Sequence, residues 1–145
     1  MKGLIQRVRS ASVEVAGECI GSIDQGILLL LGVERDDDRA RADKLLHKLV
    51  NYRIFEDDDG KMNRSLLDVA GGLLVVSQFT LVADTAKGLR PSFSRGASPE
   101  LGNDLYEYFV DQARWKLSQV ETGRFGADMQ VSLVNDGPVT FLFES

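Results

Sequence analysis

The chain has 145 residues, a formal net charge of −5 and a single cysteine. That length suits one domain with a sizeable core, expected over residues 1–145. The acidic balance argues against a general nucleic-acid binder, whose footprint is basic, and leaves room only for a local cationic patch. Lone Cys19 excludes an internal disulfide and fits a reducing compartment. The longest apolar run, Ile27 to Leu31, is too short to span a bilayer, and Met1-Lys2-Gly3 leads straight into a strand pattern without a signal segment. A cytoplasmic location with no membrane partner is therefore expected.

In chain order, Leu4, Gln6 and Val8 alternate, as do Val13 and Val15 on a second run, followed by a turn at Gly17-Glu18. With Ile20 and Ile23 beyond, this predicts a β-meander, then a buried strand from Ile27 to Val33. Acidic Asp36 to Asp38 cap a helix that ends near Tyr52 and carries Ala42, Leu45, Leu46, Leu49 and Val50 on one face. "RIFEDDDGKMN" reads as a short strand and an acidic turn. "GGLLVVSQFTL" reads as one central strand packed on both faces, with hydroxyls and an amide at its end.

From Ala83 to Ala97 runs a loop of about fifteen residues, longer than ordinary connections and so a candidate functional loop. Lys87, Arg90 and Arg95 cluster in it, where an anionic ligand would be met. Ser98-Pro99-Glu100 starts a second helix, with Leu101, Leu105, Tyr108, Phe109 and Leu117 inward and a stop at Gly123. Two closing strands, Met129 to Leu133 and Val139 to Phe143, flank "NDGPVT", which has the residues of a tight turn but places Pro138 where pairing should resume. The predicted fold is α+β: a mixed sheet or partial barrel with two main helices.

Several chemistries are excluded by residue type. His47 is the only histidine and falls on a helix face, so a Ser-His-Asp arrangement has no other base. Cys19 sits in a strand pattern with no partner near it, and is expected to be a small core or sheet residue. Zinc lacks nitrogen and sulfur ligands, "AGGLL" precedes a strand rather than following one, and Asp57-Asp58-Asp59-Gly60 lacks the spacing of an EF-hand loop. No metal and no cofactor are expected. What remains is "SQFTL": Ser77 and Thr80 lie three positions apart, so they face one site only if the strand bends there or if backbone N–H groups do the work.

Taken together, "LIQRVRSASVEV", "GVERDDD", "NYRIFEDDDGKMN", "SQFTL", "GLRPSFSRGASPE" and "TGRFGADMQVSLVNDGPVTF" give a chain that closely resembles the D-aminoacyl-tRNA deacylase family over its whole length. The resemblance implies hydrolysis of the ester between a D-amino acid and the terminal adenosine of tRNA, by a homodimer with its site at the subunit interface. It implies a catalytic strand end at Ser77, Gln78, Phe79 and Thr80, and a Gly137-Pro138 pair, cis, reaching into the partner's pocket to select chirality. Arg7, Asn135 and Asp136 would support that pair, and Lys87, Arg90 and Arg95 would meet tRNA, with Leu89 standing where the family tends to be more basic. Aminoacyl-tRNA is the implied partner, with no DNA.

D- and L-aminoacyl groups share every atom type, so a rigid wall against Cα must discriminate by clash, and such a wall cannot reject glycine. Glycyl groups, including glycine mischarged on alanine tRNA, are thus an expected second substrate. Without a histidine base, the ribose 2′-hydroxyl is the favoured activator of water, with backbone N–H groups near Phe79 and Thr80 stabilising the oxyanion. A covalent Thr80 intermediate is the rival. A Thr80-dependent general esterase or peptidase, and a non-catalytic dimeric tRNA-binding module, are the alternative functions.

Overall fold

A computed structural model describes residues 1–145. Strand β1 (Lys2–Val15) is followed by β2 (Glu18–Ile23), β3 (Gly26–Gly32) and helix α1 (Arg39–Asn51). Then come the small strands β4 (Phe55–Glu56) and β5 (Met62–Arg64), the one-turn helix α2 (Leu66–Val69) and β6 (Gly72–Ser77). A 3₁₀ turn spans Phe79–Val82, and the chain closes with α3 (Pro99–Lys116), β7 (Val120–Thr122) and β8 (Gln130–Glu144).

The sheet runs β2-β1-β3-β6-β7, with β8 on the other side of β1. β1 is long enough to serve three neighbours. Its first half pairs antiparallel with β3, its second half with β2, and β8 follows it along nearly its whole length. β6 lies parallel to β3, and β7 parallel to β6. Parallel strands buried on both faces are expected to be continuously apolar, which is what Leu73 to Val76 are, each at most 2% exposed. β3 and β6 start pressed together: a Cβ on Gly26 would lie 1.9 Å from the Gly72 carbonyl oxygen, so glycine is required there.

One face of the sheet is covered by the helices. Leu45, Leu46 and Leu49 of α1 and Leu105, Phe109 and Ala113 of α3 pack on Ile5, Ile27, Leu29, Leu73 and Val75. Each such large side chain contributes about 1.5–3 kcal/mol of burial. A smaller cluster, Val8, Ala11, Val13, Ile23, Leu28, Leu74 and Val76, fills the inside of the curled sheet. The Asp38 side chain caps α1 by accepting the Arg41 N–H at 3.0 Å, and the Ser98 hydroxyl caps α3 by accepting the Leu101 N–H at 3.2 Å. Tyr108 of α3 donates to Asp43 of α1 at 2.7 Å, a bond that holds its phenol above the usual range.

The α+β partial barrel is as predicted, with several elements drawn differently. β1 is one bulged strand rather than two runs, because β8 pairs across the irregularity. α3 ends at Lys116, not Gly123, since Leu117 turns extended and the chain enters β7, an element hidden by its polar three residues. α2 was also unmarked in the sequence: a Ser65–Asp68 capping box builds a single turn too short for helical periodicity. Tyr106, not Tyr108, is the buried tyrosine of α3, and Cys19 is an exposed residue of strand β2, the sheet rather than the core position of the two expected. The main correction is that "NDGPVT" is not a hairpin turn: β8 is continuous through it.

Candidate active site

β6 ends at Ser77, opposite Leu31 of β3, and the Gln78 N–H donates to the Leu31 carbonyl at 2.8 Å. The strand stops there, one residue before the 3₁₀ turn, which corrects the longer strand expected over "SQFTL". The bend still does not bring both hydroxyls to one site, since Ser77 lines the adjacent cavity and Thr80 does not. The consequence is chemical. The first N–H groups of a helical turn have no partner within it. Leu81 N–H reaches back to the Gln78 carbonyl, but nothing in the chain accepts the Phe79 or Thr80 N–H. Two adjacent backbone donors are thus left free at the carboxyl end of a buried parallel strand, where open α/β sheets commonly place ligands.

Beside them lies a cavity of about 560 Å³, bounded by Ser77, Gln78, Phe79, Phe93, Tyr106 and Met129 among others. Its lining is mainly apolar, and a low-dielectric wall strengthens any dipole aimed inward. The Tyr106 hydroxyl donates to the Val75 carbonyl at 3.2 Å. Burial pushes its phenol up, against the opposing pull of the Thr122 hydrogen bond and the Arg114 charge, so it stays neutral and is no base at ordinary pH. Phe79, 67% exposed, stands over the mouth with its ring 5.1 Å from that of Phe93.

The Thr80 hydroxyl is exposed and accepts from the Gln78 side-chain amide. A nucleophilic hydroxyl needs an acceptor for its proton, whereas this partner is a donor. His47 lies on the outer side of α1 and takes no part in the cavity. Asp128 is the one carboxylate along the cavity wall. Sequence reasoning missed it, together with Phe93, Tyr106 and Phe125, because they come from three separate segments joined only by folding.

The loop of about fifteen residues forms the outer wall. Asp84 and Ser92 exchange backbone hydrogen bonds at 2.7 and 3.0 Å, closing its middle. Arg35 N–H donates to the Arg95 carbonyl and Ala97 N–H to the Val33 carbonyl, both at 3.0 Å, which fastens the loop's end to the segment before α1. Lys87 and Arg90 are exposed and make no ion pair, whereas Arg95 lies 3.7 Å from the Asp84 carboxylate. The patch expected from sequence therefore offers two unpaired cations and one partly neutralised.

Gly137 and Pro138 are elsewhere. The register of β1 and β8 pairs Gln6 with Thr140 and Val8 with Asn135, so four residues of β8 stand opposite Arg7 alone. Asp136 to Val139 bow outward as a bulge, with Gly137 at φ +139° and a cis Gly137–Pro138 peptide. Arg7, only 6% exposed, fills the mouth of the bulge: its Nε donates to the Asp136 carbonyl at 2.9 Å and its Nη1 to the Ile54 carbonyl at 2.7 Å. The Asp136 carboxylate lies 3.8 Å from Arg7 and 3.5 Å from Arg9. Gly137 and Pro138 are exposed and do not line the cavity of their own chain.

A family model described as D-Tyr-tRNA(Tyr) deacylase matches residues 4–144. A protein of Stutzerimonas stutzeri (strain A1501) named D-aminoacyl-tRNA deacylase is 70% identical over 145 residues, all of both chains. One of the same name from Pseudomonas syringae pv. tomato is 66% identical over 145 residues, again all of both chains. A solved structure described as "c-Myc DNA Unwinding Element Binding Protein" superposes with a TM-score of 0.96 at 40% identity, covering 100% of this chain and 99% of that one. Another, described as a probable eukaryotic D-amino acid tRNA deacylase, shares the fold with a TM-score of 0.82 at 17% identity, covering 98% of this chain and 97% of that one.

Proposed function

The chain belongs to the D-Tyr-tRNA(Tyr) deacylase family and is a hydrolase of the D-aminoacyl-tRNA deacylase type, and from that premise we propose how it acts: it cleaves D-aminoacyl esters of tRNA at a site completed by the Gly137-Pro138 bulge of a second copy. The observation that carries this reading is a pair of unclaimed N–H donors, that of Phe79 on the wall of the apolar cavity and that of Thr80 next to it in the chain. Such donors, fixed by a strand end, stabilise the negative oxygen of a tetrahedral intermediate without reorganising.

In this mechanism water adds to the ester carbonyl carbon while the carbonyl oxygen, now negative, turns toward the two N–H groups. The neighbouring ribose 2′-hydroxyl orients the water and relays its proton. The bond from carbon to the ribose 3′-oxygen then breaks, and that oxygen takes the proton. Free amino acid and tRNA with an intact terminal ribose result. Ser77 and Gln78 hold the strand end, and the Thr80 hydroxyl is disfavoured as the nucleophile in this reading, since no base stands beside it to take its proton.

A second copy is supported by the surface around the bulge. β8 is hydrogen-bonded only to β1, so its outer edge is free over fifteen residues. On either side of the bulge Leu133, Val134, Phe141 and Leu142 are between 36% and 53% exposed. Grouped apolar side chains on an unpaired edge mark an association surface. The bulge would then reach the partner's cavity, with Asn135 and Asp136 at its base, and act as the wall that an L side chain strikes and glycine passes. Lys87 and Arg90 would meet acceptor-stem phosphates, with Arg95 contributing less. A substrate made for translation places the enzyme in the cytoplasm.

The test is release of free amino acid from D-tyrosyl-tRNA, L-tyrosyl-tRNA and glycyl-tRNA. The D and glycyl forms are expected to be hydrolysed and the L form spared; equal D and L rates would sink the reading. A terminal 2′-deoxyribose is expected to slow the reaction strongly, whereas Thr80→Ala keeps near-full activity. Thr80→Ala losing nearly all of it would restore the covalent mechanism.

A further inference from the structure

Arg7 holds only one limb of the bulge, the one entering it at Asp136. The limb that leaves is held separately, by side chains. The Val139 N–H donates to the Asn135 side-chain oxygen at 3.1 Å, and the Asn135 amide nitrogen donates to Thr140 Oγ1 at 3.1 Å. Gln6 Nε2 donates to the same Thr140 oxygen at 3.3 Å, across the register pair that closes the bulge. Gln6 and Arg7 are neighbours on β1, so their side chains leave opposite faces of the strand. The bulge is thus gripped from the buried face by Arg7 and from the outer face by Gln6.

A hydroxyl has two lone pairs and one proton. Both lone pairs of Thr140 are engaged by Gln6 and Asn135, which makes this one oxygen the junction between β1 and the departing limb. The three groups are exposed or half-buried, so water would satisfy their amides if the junction were lost. Stability therefore changes little. Position changes more, because without the Thr140 junction Asn135 loses the anchor that orients its oxygen toward Val139.

We propose that Gln6 and Thr140 are positioning residues for chiral discrimination, locking the departing limb of the Gly137-Pro138 bulge at the distance where it rejects an L side chain. This rests on the reading of the bulge as the selecting wall. Rejection by contact is steep in distance, and functional groups must be held within about 0.5 Å of their working geometry. Glycyl esters do not test the wall at all, so their hydrolysis is blind to its exact placement.

The experiment compares wild type with Thr140→Val, Thr140→Ser and Gln6→Leu on D-tyrosyl-, L-tyrosyl- and glycyl-tRNA, with thermal denaturation alongside. Thr140→Val is expected to lower the D-to-L rate ratio by on the order of tenfold, within the ~100-fold that a 1 Å misplacement can cost. Thr140→Ser, which keeps the acceptor oxygen, restores the ratio, and the glycyl rate stays close to wild type throughout. Gln6→Leu removes one of the two donors and gives a smaller shift in the same direction, and it carries the test alone if Thr140→Val does not fold. An unchanged ratio in the folded variants overturns the proposal, as does a parallel fall on all three substrates. Wild type failing to discriminate would instead overturn the underlying reading of the bulge.

Discussion

At residue scale the proposed chemistry rests on two backbone hydrogens, the N–H groups of Phe79 and Thr80. Proline has no N–H and is best tolerated at the first position of a helical turn, after an extended residue. Phe79 occupies that position, and Gln78 before it has φ −142° and ψ 85°, outside the helical region. Phe79→Pro is therefore expected to preserve the fold and to lower kcat by about 10²- to 10³-fold, the effect of losing one oxyanion donor. Phe79→Ala separates the ring from the hydrogen. It keeps the N–H and removes the contact with Phe93, so its defect should fall on KM rather than kcat. Single-turnover rates on D-tyrosyl-tRNA read the first effect, and saturation curves the second. A Phe79→Pro enzyme with normal kcat would move the oxyanion site elsewhere.

At the scale of elements, the cavity wall is tied to a buried ion pair that does not itself line the cavity. The Met1 amine and the Asp37 carboxylate, both fully buried, lie 2.6 Å apart. Asp37 also accepts the Glu34 N–H at 2.6 Å, fixing the segment to which the functional loop is fastened through Arg35 and Val33. Breaking a buried pair costs up to about 3–5 kcal/mol, and the Met1 amine keeps Glu34 at 3.1 Å, so the loss falls below that ceiling. Asp37→Asn should show that loss in denaturant unfolding, with a raised KM in whatever enzyme remains folded. A midpoint equal to wild type would show that the pair does not hold this wall.

The same scale shows what could be read in advance. α1 and α3 were legible to within a few residues at their starts, because Asp38 and Ser98 are caps and the apolar positions follow one helical face. The buried β3 and β6 were legible as apolar runs. β7, α2 and the continuity of β8 were not, since three polar residues, one capped turn and an Asn-Asp-Gly-Pro sequence each have a more common local meaning. In the last case pairing with β1 on both sides overrides the turn chemistry, and Arg7 replaces the missing ladder. "SQFTL" and "NDGPVT" could be identified as blocks, but not how far apart one chain would hold them.

For the whole molecule that separation is the decisive feature, since the cavity and the bulge are complete in every chain yet not joined within one. A second copy resolves this if each chain gives its donors to one site and its wall to the other. Mixing two damaged chains distinguishes that arrangement from a site built within one chain. Thr140→Val has intact N–H donors but a displaced wall, whereas Phe79→Pro has a sound wall and a crippled donor pair. With Phe79→Pro in large excess and the subunits allowed to exchange, most Thr140→Val chains acquire a Phe79→Pro partner. Every fast site in the mixture then combines Thr140→Val donors with the native wall of its partner. The D-to-L rate ratio is expected to rise back toward the wild-type value, with the L-tyrosyl rate falling rather than the D-tyrosyl rate climbing. If each wall instead served its own chain, the fast sites would keep their displaced walls, and the ratio would stay at that of Thr140→Val alone whatever the excess.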